Sequence, residues 1–98
     1  MVESVIWTKK ASLRLDEMIE YLENEGAPLA ASNLVTRIIN RIGVLMNYPE
    51  IGRPVKANSL IRYVRIDKHK IMFYRIQGDK LFISNFFDQR QDPSKRPF

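Results

Sequence analysis

The chain has 98 residues, of which 28% are charged, a formal net charge of +5 and no cysteine. That length suits one domain over residues 1–98, able to bury roughly 60 to 70% of its unfolded surface in a single core. The missing thiols exclude a disulfide framework and a thiolate metal centre. No apolar run approaches the ~18 residues that span a bilayer, so the expectation is a cytoplasmic protein without a membrane partner.

The charge is unevenly spread. Residues 1–60 hold seven Lys and Arg against seven Asp and Glu, and residues 61–98 hold nine against four. The whole surplus therefore lies in the C-terminal part, where a positive field would draw a polyanion or an acidic partner.

In chain order, ESVIW reads as a short strand ending at Thr8, whose hydroxyl suits the N-cap of a following helix. Ala11, Leu15, Met18, Ile19 and Leu22 recur at helical spacing, with acidic residues over the remaining surface. Gly26 suits the stop of that helix, and Pro28 the first turn of a second, where its missing N–H costs nothing. The second helix carries Ala31, Leu34, Val35, Ile38, Ile39, Ile42, Leu45 and Met46, a stripe wide enough to meet both the first helix and a sheet. It stops at NYPEIGRP, where Pro49, Gly52 and Pro54 oppose continuation.

From Leu60 the period changes to two, and IRYVRI, HKIMFYRIQ and KLFISNFF read as three strands joined by tight turns. Two-residue turns would set Ile66 opposite His69 and Gln77 opposite Lys80. In that register Ile61, Tyr63, Met72, Tyr74, Ile76, Leu81 and Ile83 face the helices. Arg62, Phe73, Arg75, Phe82, Ser84 and Phe86 then occupy the opposite face. Guanidinium groups among aromatic rings provide ion pairing and stacking, as a binding surface requires. Snorkelling arginines on a half-buried rear face would show the same pattern. The fold expected is α+β: a helical hairpin on one face of a small, mainly antiparallel four-stranded sheet in the order β-α-α-β-β-β.

This order, with LMNYPEIGRP, the HKIMFYRIQGDKLFIS hairpin and the closing FDQRQDP, resembles the RelE/ParE superfamily of small toxins from type II toxin–antitoxin, or plasmid stabilisation, systems. The resemblance implies a cytoplasmic, growth-inhibiting toxin neutralised by a cognate antitoxin, with operator DNA met only through the antitoxin and no cofactor or metal. One branch cleaves messenger RNA on the ribosome, which needs a proton-transfer pair and fixed positive charge on the reacting phosphate. There a His or Tyr commonly stands just beyond the last strand, whereas this chain has Gln89 and Arg90, neither of which exchanges a proton near neutral pH. Arg65, Arg75 and Arg90 are the catalytic candidates on that alternative reading. The branch directed at DNA gyrase often ends in a His-Gln-Arg-like run followed by an acid and Pro. Gln89, Arg90, Asp92 and Pro93 match it, with Asp88 in place of His. The ParE-like reading is therefore preferred, acting by binding rather than catalysis, with Arg62, Arg65, Phe73, Arg75, Phe82 and Arg90 as residues that meet the target or antitoxin. His69, the one histidine, is expected opposite Asp88, either as an ordinary turn residue or with its tautomer held by that carboxylate.

Overall fold

The computed structural model describes residues 2–90, 94 and 96–98. Strand β1 (Ser4–Trp7) leads into helix α1 (Lys9–Asn24), followed by helix α2 (Pro28–Asn47). Strands β2 (Arg53–Val55), β3 (Asn58–Arg65), β4 (Lys70–Gln77) and β5 (Lys80–Asp88) complete the domain. They form one sheet in the order β1-β5-β4-β3-β2, in which β1 runs parallel to β5 and every other pair is antiparallel. Among the described residues no helix is long and apolar enough to cross a membrane.

The helix boundaries follow local chemistry. Thr8 accepts the Ala11 amide on its side-chain oxygen and donates its hydroxyl to the Ser84 carbonyl, so one residue caps α1 and fastens it to β5. Gly26 adopts φ +75°, a conformation that other residues reach only at a cost, and ends the first helix. Pro28 then opens α2.

The helical hairpin covers one face of the sheet. Ala11, Leu34, Ile38 and Leu45 pack with Val64, Ile66, Met72, Tyr74, Leu81, Ile83 and Phe86 in the main core. A second, smaller cluster of Val55, Ile61, Ile71, Phe73 and Phe87 lies on the rear face beside Tyr63.

Three features depart from the expected fold. The sheet has five strands rather than four, because Arg53-Pro54-Val55 pairs with β3. A proline argues against an interior strand, but on an edge its missing N–H disrupts no ladder. Second, four residues, 66–69, separate β3 from β4, and Arg65 stands opposite Ile71. The Ile66 amide bonds the Lys70 carbonyl, one step beyond the expected partner His69. Because side chains alternate, that single step turns β3 over: Ile61 and Tyr63 join the rear cluster, while Val64 and Ile66 enter the main core. Third, β5 carries a bulge. Phe73 pairs with Asn85 but Tyr74 pairs with Ile83, leaving Ser84 without a partner and turning Phe86 into the main core. The β4–β5 turn does set Gln77 opposite Lys80, as expected.

Tyr74 anchors the α2 exit. Its hydroxyl donates to the Pro49 carbonyl at 2.7 Å and accepts the Gly52 amide at 3.0 Å. Burial raises the phenol pKa above its ordinary value, although the Gly52 amide opposes the shift. It therefore remains a donor throughout the neutral range. A Cβ on residue 52 would sit 2.6 Å from Cε1 and 2.8 Å from Cζ of this ring. Gly52→Ala is expected to cost about 1–3 kcal/mol by overpacking. Tyr74→Phe should cost a similar ~1–3 kcal/mol by leaving the Gly52 amide and Pro49 carbonyl without their partner. Urea denaturation checks both, with unchanged m-values expected.

Candidate functional site

The run after β5 is held by a closed set of ion pairs and hydrogen bonds. Arg90 grips Asp88 with two bonds, Nε to Oδ1 at 3.0 Å and Nη2 to Oδ2 at 2.6 Å, and its backbone amide also reaches Oδ1. Such a fork is the strong form of a carboxylate pair. The Arg90 side chain lowers the Asp88 pKa against the opposing effect of burial, and Asp88 in turn raises that of Arg90. The Gln89 amide bonds the His69 carbonyl, while its side-chain oxygen accepts from Arg65 at 2.8 Å. Asp92 and Pro93, expected to take part in this run, lie outside the described residues.

On the helix side the set continues inward. Lys70, opposite Asp88 in the register, is buried and pairs with Asp67 at 3.3 Å. Burial acts to raise the Asp67 pKa, but the His69 and Lys70 amides together with the Lys70 ammonium outweigh it and hold the group below its ordinary value. Lys70, Asp88 and Arg90 form one wall of a groove of about 470 Å³, whose other wall is α1 with Arg14, Glu17, Met18, Tyr21 and Leu22. His69 stands one position away from the place expected for it, so Lys70 rather than His69 faces Asp88.

The six residues expected to meet a target or antitoxin fall into different settings. Arg62 is on the helix side, where its guanidinium holds the Glu50 and Gly52 carbonyls; it braces the chain after α2. Phe73, expected on an open binding face, is fully buried in the rear cluster with the Phe98 ring 5.0 Å away. Arg75 lies 4.1 Å over the Phe82 ring on the rear face and bonds Gln77. Arg65 is exposed and bonds the Lys68 carbonyl as well as Gln89.

Arg65, Arg75 and Arg90 do not converge. Arg65 pairs opposite Ile71, four residues along β4 from Arg75, about 13 Å at ~3.3 Å per residue. Alternation puts Arg90 with Asp88 on the helix side and Arg65 with Gln89 on the other. The local order was carried by FDQR, but the buried Lys70–Asp67 pair was not foreseen. Its signal was the DKHK turn, where an acid stands three residues before a lysine and can cap the amides between.

A mixed five-stranded sheet with a helical hairpin on one face and a charged turn after its last strand is the architecture of a small toxin fold. The sequence model of the ParE toxin of the type II toxin–antitoxin system parDE matches residues 5–93, and the chain belongs to that family. It is 36% identical over 87 residues to a Sinorhizobium fredii protein named "Putative toxin Y4kP", covering 89% of this chain and 90% of that one. Among solved structures, the chromosomal ParDE system of P. aeruginosa superposes with a TM-score of 0.73 at 21% identity, over 89% of this chain and 96% of that one. The YoeB/ParE toxin of Agrobacterium tumefaciens gives 0.67 at 17%, over 88% and 98%. YafQ of E. coli gives 0.61 at 9%, over 92% and 96%. These three likenesses show the shared fold.

The Asp88–Arg90 pair makes stability depend on pH. A carboxyl whose folded pKa is depressed contributes stability above its unfolded value, and loses it as pH falls through the folded one. The loss is thus expected below the usual aspartate value of 3.8. Asp88→Asn should be less stable than the parent at pH 7, with the difference shrinking steadily as pH falls below about 4. Thermal unfolding measured from pH 7 to pH 2 checks this.

Proposed function

We propose that the chain is the toxin of a type II toxin–antitoxin pair of the ParE-like kind, which inhibits DNA gyrase by binding and is held inactive by a cognate antitoxin. The dispersal of Arg65, Arg75 and Arg90 carries the reading against a nuclease. Ribonucleolytic phosphoryl transfer needs a base, an acid and fixed positive charge around one phosphate. Here one arginine stacks on Phe82, one bonds Gln89, and the third is gripped by Asp88 on the other side of the sheet. Family membership supports the toxin and its antitoxin partner. The Gln89-Arg90 turn supports action by binding, because its side chains offer hydrogen bonds and charge without a titrating group near neutral pH.

The purified chain should inhibit ATP-dependent supercoiling of relaxed plasmid by gyrase, and should leave messenger RNA on translating ribosomes uncut. Arg90→Ala is expected to lose only ~0.2–1 kcal/mol of stability, as an exposed pair does, yet to lose growth inhibition in cells lacking the antitoxin. The charge-assisted contact at the target is worth ~2–5 kcal/mol. Prompt codon-positioned cleavage abolished by Arg75→Ala would replace this reading with that of a ribosome-dependent endonuclease.

A further inference from the structure

The connection between β3 and β4 is joined to the run after β5 through one carboxylate oxygen. Asp67 Oδ1 accepts the His69 amide at 2.8 Å and the Lys70 amide at 3.0 Å, as a short acceptor side chain does when it folds back on its own backbone. No cis peptide bond occurs among the described residues, and across a trans peptide the carbonyl of one residue points away from the amide of the next. Holding the His69 amide therefore turns the Lys68 carbonyl away from Asp67, and holding the Lys70 amide does the same to the His69 carbonyl. Both carbonyls meet the groups that hold Gln89. The His69 carbonyl takes the Gln89 amide at 2.7 Å. The Lys68 carbonyl takes Arg65 Nη1 at 3.0 Å, and that same nitrogen donates to Gln89 Oε1 at 2.8 Å. Backbone and side chain of Gln89 are thus both fixed by peptide planes that Asp67 orients.

We propose that Asp67 is a positioning residue for the Gln89-Arg90 turn: it does not touch the target, but sets the direction in which Gln89 and the adjoining Arg90 are presented to it. Asp88 arranges Arg90, whose amide and guanidinium it holds; Asp67 arranges the residue between them. Its other oxygen pairs with the Lys70 ammonium at 3.3 Å, and the two oxygens separate two duties. A residue kept for stability needs the charge, because removing it leaves the buried Lys70 ammonium without a countercharge. A residue kept for positioning needs Oδ1 at the length of an aspartate side chain. The identity of the target as gyrase rests on the reading given above; the path from Asp67 to Gln89 does not.

Two variants of the full chain exchange these duties. Asp67→Glu keeps the charge beside Lys70 but carries the acceptor one methylene away from the His69 and Lys70 amides; Asp67→Asn keeps the acceptor and loses the charge. In Asp67→Glu the Gln89 amide should exchange its hydrogen roughly tenfold faster than in the parent, and the concentration that half-inhibits gyrase supercoiling should rise by a similar roughly tenfold. In Asp67→Asn both should stay within roughly twofold of the parent, although urea denaturation finds this variant the less stable of the two. Tyr74→Phe, which weakens the segment between α2 and β2 instead, controls for lost stability and should leave Gln89 exchange unchanged. The opposite order, with Asp67→Glu like the parent and Asp67→Asn impaired, overturns the proposal in favour of a stabilising ion pair. So does a rise in Gln89 exchange in Tyr74→Phe equal to that in Asp67→Glu. Fast Gln89 exchange in Asp67→Glu with inhibition undiminished sinks the positioning role and leaves the gyrase reading standing. A parent chain that folds but does not inhibit gyrase sinks that reading, while Gln89 exchange in the two variants still decides whether Asp67 sets the turn.

Discussion

A single phenol decides how the two halves of the domain meet. Tyr74 is fully buried between sheet and helices, and a hydroxyl there must find partners or cost free energy. It finds both on the segment between α2 and β2, at Pro49 and Gly52. With that segment pinned, its remaining carbonyls at Glu50 and Gly52 fall to Arg62. The start of β2, the pairing of Arg53 with Tyr63 and the extent to which the β3 edge is covered all follow. The need for glycine at position 52 has the same origin, since the tyrosine ring fills the space a side chain would take.

The elements legible in the sequence were those decided by local chemistry. Thr8, Gly26 and Pro28 marked the helix ends because a cap, a positive φ and a missing N–H act within a few residues. The β4–β5 turn was readable for the same reason. What escaped depended on partners far along the chain. Pro54 disguised a strand that is tolerable only because it lies at an edge. The longer β3–β4 connection and the bulge at Ser84 each shift the pairing by one, which exchanged the faces of Ile61, Tyr63 and Phe86. For the candidate site, the charged run after β5 was visible, but the separate duties of Arg62, Arg65, Arg75 and Arg90 were not. Which carbonyl or ring a guanidinium meets is set by register and by neighbouring strands.

The basic excess of the C-terminal part is accordingly no single patch. Some of its cations are consumed internally: Lys70 by Asp67, Arg90 by Asp88, and Arg62 by carbonyls of the α2–β2 connection. Arg37 and Arg41 on α2, in the electrically balanced first 60 residues, line the hollows beside β3 together with Arg53 and Arg65. Counting charge along the chain locates the surplus but not the surface that presents it.

The parallel pairing of β1 with β5 has a consequence for the order in which the molecule assembles. Ser4 pairs with Lys80, and the Thr8 hydroxyl reaches Ser84 across 76 positions of chain. Closing so long a loop is entropically costly and favours late formation. During synthesis the first strand leaves the ribosome with nowhere to dock. It must wait until β5 has emerged, and the turn carrying Gln89 and Arg90 is added directly after that strand. The β1 edge of the sheet and the charged turn are thus completed together, once β5 has been made.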